Sequence, residues 1–155
     1  FIHSMLRDEP ITIYGGHDKT LDFTYVDDCI DGIVRGIDAL AEGRVVNQTI
    51  NLAFGRGNTL VHCAERIAAE LGVEPRVTMA PSLLGEVTHY VADLSKARAL
   101  LEYDPKVPLD EGIARAVAWF RGHRAKHPEE DVPVTADHEG TPPDADSRSK
   151  AVAAS

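Results

Sequence analysis

The sequence predicts an α/β fold of short strands with four to five helices. Short β-branched segments alternate along the chain with longer stretches whose apolar residues recur every three to four positions. Glycine and proline mark many of the changes from one pattern to the other. With 155 residues, 43% of them hydrophobic, the chain is long enough for one domain with a core of its own.

The opening residues, FIHSML, resemble the middle of a helix, and with Phe1 in first place the chain is expected to be a fragment or a product lacking its beginning. Ile11 to Tyr14 is β-branched and aromatic, hence a strand, and Gly15-Gly16 breaks it. Phe23 to Val26 resumes the extended pattern. Asp27-Asp28 then set carboxylates where a helix leaves its first N–H groups unpaired. From Asp27 to Glu42, residues Ile30, Ile33, Val34, Ile37, Leu40 and Ala41 form one apolar stripe, and Gly43 supplies the stop. Gln48 to Ala53 (QTINLA) is a strand candidate ending at the turn GRGN. Thr59 caps the next helix, in which Leu60, Ala64, Ile67, Ala68 and Leu71 face the core and Gly72 ends the run.

Arg76 to Ala80 is extended, Pro81 to Val87 a loop, and His89 to Ala92 another short strand. Asp93 or Ser95 caps a brief helix through Leu101, and the prolines of YDPKVP stiffen the bend that follows. Pro108 opens the last helix, which runs to about His127 with Ile113, Ala116, Val117 and Phe120 on one face. Residues 128–155 offer too little apolar area to offset chain entropy, so the folded part is expected at 1–127 with a disordered acidic tail at 128–155. There is no internal repeat.

Composition narrows the function classes. The net charge of −9 is uneven: 128–155 holds 7 acids and 2 bases, or −5, which leaves −4 for 1–127. No basic cluster points to nucleic acid, and no apolar run approaches the roughly 18–20 residues that span a bilayer. Cys29 and Cys63 fall in helical patterns without a CxxC spacing, which fits buried thiols and a reducing cytoplasm. The seven histidines show no ligand spacing, so no metal site is expected.

Dinucleotide chemistry needs a glycine-rich turn that lets backbone N–H groups approach a pyrophosphate. GRGNTL is the only similar string, and it lacks the third glycine. No tyrosine among Tyr14, Tyr25, Tyr90 and Tyr103 has a lysine four positions on, the pairing that would lower its pKa for proton transfer. The chain by itself therefore carries no catalytic residue for hydride chemistry and is expected to be inactive alone.

Four segments nonetheless resemble one family in order and spacing. PITIYGGHDKTLDFTYVDD is similar to the "PITIYGDGxQTRDFTYVDD" segment of the extended short-chain dehydrogenase/reductases that act on nucleotide sugars. FIHSMLRDEPITIYG resembles that family's helix-then-strand entry, TINLAFGRGNTL its "YNLGSGRGxSL", and VADLSKARALLEYDPKVPLDEGI its "xxDxSKARxxLGYxPxVxLEEGL" close. The likeness runs from Phe1 to about Arg121 and covers the family's C-terminal, substrate-binding part. It implies a Rossmann-type enzyme whose NAD or NADP is held mainly by an N-terminal part that this chain lacks. The implied reaction is 4-epimerisation of a UDP- or dTDP-sugar through a keto sugar, ahead of dehydration or decarboxylation. The implied partners are its own cofactor domain and a second copy in a homodimer.

Carried over residue by residue, the resemblance places Ile13 and Tyr14 at the nucleotide base and Asn51 in the sugar pocket, where an amide both donates and accepts. The loop Leu83, Leu84, Gly85, Glu86 and Val87 forms the remaining wall. The family grips the diphosphate with two arginines, and here those positions hold Leu21 and Leu83. Losing two charge-assisted contacts costs on the order of 1.5–3 kcal/mol each. Lys19 and Arg56 are the replacement candidates, with His17 and His89 beside them. Otherwise the arginines come from the rest of the enzyme, or the substrate is a smaller carbonyl compound without a nucleotide. A non-catalytic binding module is the reading from another class.

Overall fold

The computed structural model describes residues 1–82, 84–85 and 87–127. Along the chain lie α1 (Ile2–Leu6), β1 (Ile11–Tyr14), β2 (Thr20–Asp22), α2 (Val26–Ala41), β3 (Gly57–Thr59), α3 (Leu60–Leu71), β4 (Val77–Ala80), α4 (Ser95–Leu101) and α5 (Leu109–Lys126). This is the mixed α/β architecture of short strands and five helices that the sequence predicts. The tail at 128–155, and with it the disorder expected there, lies outside the described residues.

The strands form two small ladders. β1 runs parallel to β4, with Ile11 opposite Val77 and Tyr14 opposite Ala80. β2 runs antiparallel to β3, with Thr20 opposite Thr59, Leu21 opposite Asn58 and Asp22 opposite Gly57. The far edge of β2 takes in the following loop: the Thr20 N–H donates to the Thr88 carbonyl at 2.8 Å, and the Tyr90 N–H donates to the Thr20 carbonyl at 2.9 Å. His89 thus makes a single bridge to Thr20 in place of the strand expected from His89 to Ala92.

Local chemistry sets the helix ends where it was legible. The Thr59 hydroxyl accepts the His62 N–H at 3.0 Å, and Gly72 closes α3 in the left-handed region at φ 74°. Gly43, at φ 71°, does the same after α2. Ahead of α4 the Asp93 carboxylate accepts both the Ser95 N–H at 2.8 Å and its hydroxyl at 2.5 Å, which holds the Asp93 pKa below the usual carboxylate range. Asp27 and Asp28 do not cap α2, because no side chain bonds the N–H groups at its start. Phe23 to Val26 is likewise not a strand: the ladder stops at Asp22, and Val26 opens the helix.

One core packs α1, β1, α3 and α5 together through Met5, Ile11, Ile13, Ala64, Ile67 and Val117. A second gathers Ala39, Ala53, Leu94, Ala97, Leu101 and Tyr103 beneath α2 and α4. In α2 it is the Gly32 and Ala39 side that is buried. The apolar stripe points outward, with Ile30, Ile33, Val34, Ile37 and Leu40 each about half exposed or more. Gln48 to Ala53, expected as a strand, forms none and pairs with no strand among the described residues.

Close approach fixes Gly57. A Cβ there would lie 2.2 Å from Thr20 Cγ2 and 3.0 Å from Val91 Cγ2. Gly57→Ala is expected to lower unfolding stability by about 1–3 kcal/mol, and Thr20→Ser in the same chain to recover most of it, as read by urea denaturation.

Candidate functional site

The site region is organised by a carboxylate in a strand. Asp22 Oδ1 accepts the Phe54 N–H at 3.1 Å and the Gly55 N–H at 3.1 Å, while Oδ2 accepts Gly55 at 3.0 Å and Ala92 at 3.1 Å. One side chain thereby ties β2, the 53–55 turn and the start of the 92–95 segment. Asp28, 5% exposed, works in the same way one helical turn into α2: it accepts the Lys106 N–H at 2.8 Å and the Val107 N–H at 2.9 Å. Tyr103 is 1% exposed, and its hydroxyl donates to the Ala53 carbonyl at 3.1 Å. Burial, aided by the negative groups Asp28, Cys29, Asp31 and Asp22, pushes the Tyr103 pKa up to about 12. The Ala53–Gly55 turn is therefore pinned from both sides.

Arg56 and Asn58 follow directly on this turn. They line a small polar pocket of about 100 Å³ together with Phe54, His62, Leu109 and Asp110. His62 Nε2 lies 3.1 Å from Asp110 Oδ1, so the far wall of the pocket is already paired. Arg56 is exposed and makes no ion pair among the described residues. Asn58 is the ladder partner of Leu21, which puts both on one face of the sheet. Arg56 lies two residues before Asn58, just outside the strand.

The other candidates are not gathered around one point. Lys19 is 6% exposed and already engaged. Ile13 is 1% exposed and belongs to the core, so its side chain reaches no ligand and only its backbone could do so. Tyr14 is 42% exposed at the end of β1. Asn51 is exposed and donates through Nδ2 to the Asp93 carbonyl at 3.3 Å, beside Lys96, which reaches Gln48 Oε1 and the Thr49 carbonyl. Leu84 and Val87 are exposed, and Gly85 adopts φ 83°. Leu83 and Glu86 lie outside the described residues.

Sequence reading missed Asp22 and Tyr103 as organising residues. A signal for the first was present: aspartate is disfavoured inside a strand unless its carboxylate has donors to meet. Cys63 is buried, its thiol pKa raised by that burial, and it lines an apolar pocket with Phe23, Tyr25, Val107 and Ile113. No group of three or more metal-ligating side chains occurs among the described residues. No described helix is long and apolar enough to cross a membrane.

No family model matches the chain. The similarity lies with individual proteins. A Bacillus subtilis protein described as an uncharacterized UDP-glucose epimerase is 29% identical over 119 residues, covering 77% of this chain and 37% of that protein. UDP-glucuronic acid decarboxylase 1 of Xenopus tropicalis is 30% identical over 121 residues, covering 78% of this chain and 28% of its own. Among solved structures, UDP-glucuronic acid 4-epimerase from Bacillus cereus in complex with UDP-glucuronic acid and NAD matches at a TM-score of 0.72 and 30% identity, over 79% of this chain and 38% of that one. Fold and sequence together define a class, the α/β fold that these UDP-sugar epimerases and decarboxylases share over this part of their length. The chain belongs to the extended short-chain dehydrogenase/reductase family of UDP-sugar epimerases and decarboxylases. It spans about a quarter to little more than a third of the length of the curated relatives it matches.

The residues present do not fit a nicotinamide dinucleotide. The glycine of GRGN that a pyrophosphate loop would need, Gly57, lies in β3 with Thr20 against it.

The pinned turn is testable through Tyr103. Tyr103→Phe leaves the buried Ala53 carbonyl without its donor and is expected to cost about 1–3 kcal/mol at neutral pH. The tyrosine's pKa is higher in the folded chain than in the unfolded one, so its contribution to stability is complete below pH 10 and fades as the pH rises towards about 12. Wild type should lose melting temperature over that interval, and the gap to Tyr103→Phe should narrow.

Proposed function

We infer that this chain is the substrate-holding part of an NAD-dependent nucleotide-sugar 4-epimerase, corresponding to the C-terminal part of its relatives. The observation that carries the reading is the match to the Bacillus cereus epimerase in complex with UDP-glucuronic acid and NAD, at a TM-score of 0.72 over 79% of this chain. Hydride chemistry belongs to the share of the relatives that this chain does not cover, in keeping with the lack of a dinucleotide turn and of a tyrosine–lysine pair here. What the chain contributes is a rigid polar shelf for the nucleotide diphosphate. Decarboxylation is the second reading, favoured by the decarboxylases among its relatives.

Arg56 is the phosphate contact in this reading. Guanidinium is permanently charged and pairs two N–H groups with a phosphate. In support, the ladder pairs Leu21 with Asn58, two residues beyond Arg56. Lys19 is the weaker candidate because freeing a buried, engaged ammonium costs desolvation and partners first. Tyr14, the Ile13 backbone, Asn51 and the Leu83–Val87 loop are the proposed walls for base and sugar. A cytoplasmic site of action accords with the two free cysteines.

Titration calorimetry with UDP tests the assignment. Arg56→Ala is expected to weaken UDP about 10- to 100-fold, the equivalent of one charge-assisted contact, with Arg56→Lys in between. If neither UDP nor dTDP binds the wild-type chain at millimolar concentration, the nucleotide reading fails and a smaller carbonyl substrate takes its place.

A further inference from the structure

The C-terminal end of α5 carries three rings in a ladder. Trp119 and His123 stack with centroids 4.8 Å apart and planes 11° from parallel, and His123 and His127 stack at 4.5 Å and 30°. Their spacing of four, which sequence reading passed over, sets successive rings one turn apart along one edge of the helix. His127 closes the helix, yet its N–H still donates to the His123 carbonyl at 3.0 Å, so it keeps its place one turn above His123. Both histidines are half-buried, whereas Trp119 is 66% exposed. An indole left that far in water contributes little to a core. What its face covers is the His123 ring.

Two histidines four apart on a helix have the spacing on which helical metal sites are built, because both imidazoles reach one ion from the same face. The helix end adds to this: its last carbonyls lack an intrahelical partner, and the negative end of the helix dipole favours a cation. Arg124 and Lys126 belong to the same turn, but each is one position from a histidine and so sits on another side of the helix. Each histidine makes a further interaction within the chain. An imidazole has two nitrogens, and holding one of them orients the other toward a metal. Asp110, in the polar pocket of Arg56, lies near the start of α5, about 20 Å along the axis from His123. The ladder is therefore separate from the nucleotide shelf.

We propose that His123 and His127 form a two-histidine site for a divalent transition-metal ion of the zinc, nickel and copper group, with Trp119 positioning the His123 ring. Water completes the coordination, since no third ligating side chain joins the pair among the described residues. A bound ion bridges the last turn of α5 and holds the helix end against fraying. Copper binds more tightly than nickel or zinc at such a nitrogen site. The site uses no residue of the nucleotide reading, so the two stand or fall separately.

Zinc chloride is the probe, being redox-inert, and Trp119, the single tryptophan, is the reporter. Titrated into the 155-residue chain, zinc should change the Trp119 emission. By calorimetry the chain should take up one equivalent more than the double variant His123→Ala with His127→Ala. Each single substitution should weaken that equivalent at least ~10-fold, the effect of losing even an outer-shell partner, and should remove the emission change. Trp119→Leu should keep the stoichiometry and weaken zinc less than either histidine substitution does. His123 and His127 both lie past Val117, the last buried residue of α5, so their loss leaves the core intact. Zinc uptake and an emission change that persist in the double variant overturn the proposal, as does a loss that depends on only one of the two histidines. No binding at millimolar zinc overturns it as well and leaves the rings as a plain aromatic stack.

Discussion

The structure depends on the Asp22 carboxylate more than on any ladder. β2 and β3 are three residues long, too short for strand pairing to hold them in place. Asp22 adds acceptors for the amides of Phe54, Gly55 and Ala92, which come from segments 32 to 70 residues away. Asp28 repeats the device for Lys106 and Val107 at the entry to α5. Hydrogen bonds to a charged acceptor are stronger than the amide–carbonyl bonds of a short sheet. Two aspartates six residues apart thus do what a longer sheet would otherwise do, and both lie in the segment DFTYVDD.

That arrangement explains what the sequence could and could not tell. β1, α3 and β4 were legible because their causes are local: alternation in ITIY, the Thr59 hydroxyl at one end of a helix and Gly72 at the other. QTINLA was legible as strand-forming, but a strand needs a neighbour, and none is present among the described residues. In α2 the periodicity marked a stripe without saying which side is covered, and it is the small side, Gly32 and Ala39, that packs inward. Asp27 and Asp28 looked like caps because position alone suggests it, whereas the Asp28 partners lie 78 and 79 residues downstream.

The candidate site divides in the same way. The leucine at position 21 was visible as a departure from the family pattern, since identity at one position is all it requires. Arg56 was legible beside Lys19 as a replacement candidate, but what separates the two was not, because the burial of Lys19 and the pairing of Leu21 with Asn58 arise only in the fold. Ile13 shows the opposite case. A strand residue that matches a binding position lies in the core, and only its backbone could face a ligand.

Arg56 owes its position to the turn before it. Residues 48–52 run directly into Ala53–Gly55, and Arg56 leaves the same turn on the other side. That turn is held by Asp22 through two amides and by Tyr103 through the Ala53 carbonyl. A single exposed arginine contributes about one charge-assisted contact where the family pattern has two, so its value depends on how little freedom is lost when it binds. Because the turn is already held on both of its sides, its backbone has little freedom left to lose when a nucleotide arrives, and Arg56 starts from a nearly fixed base.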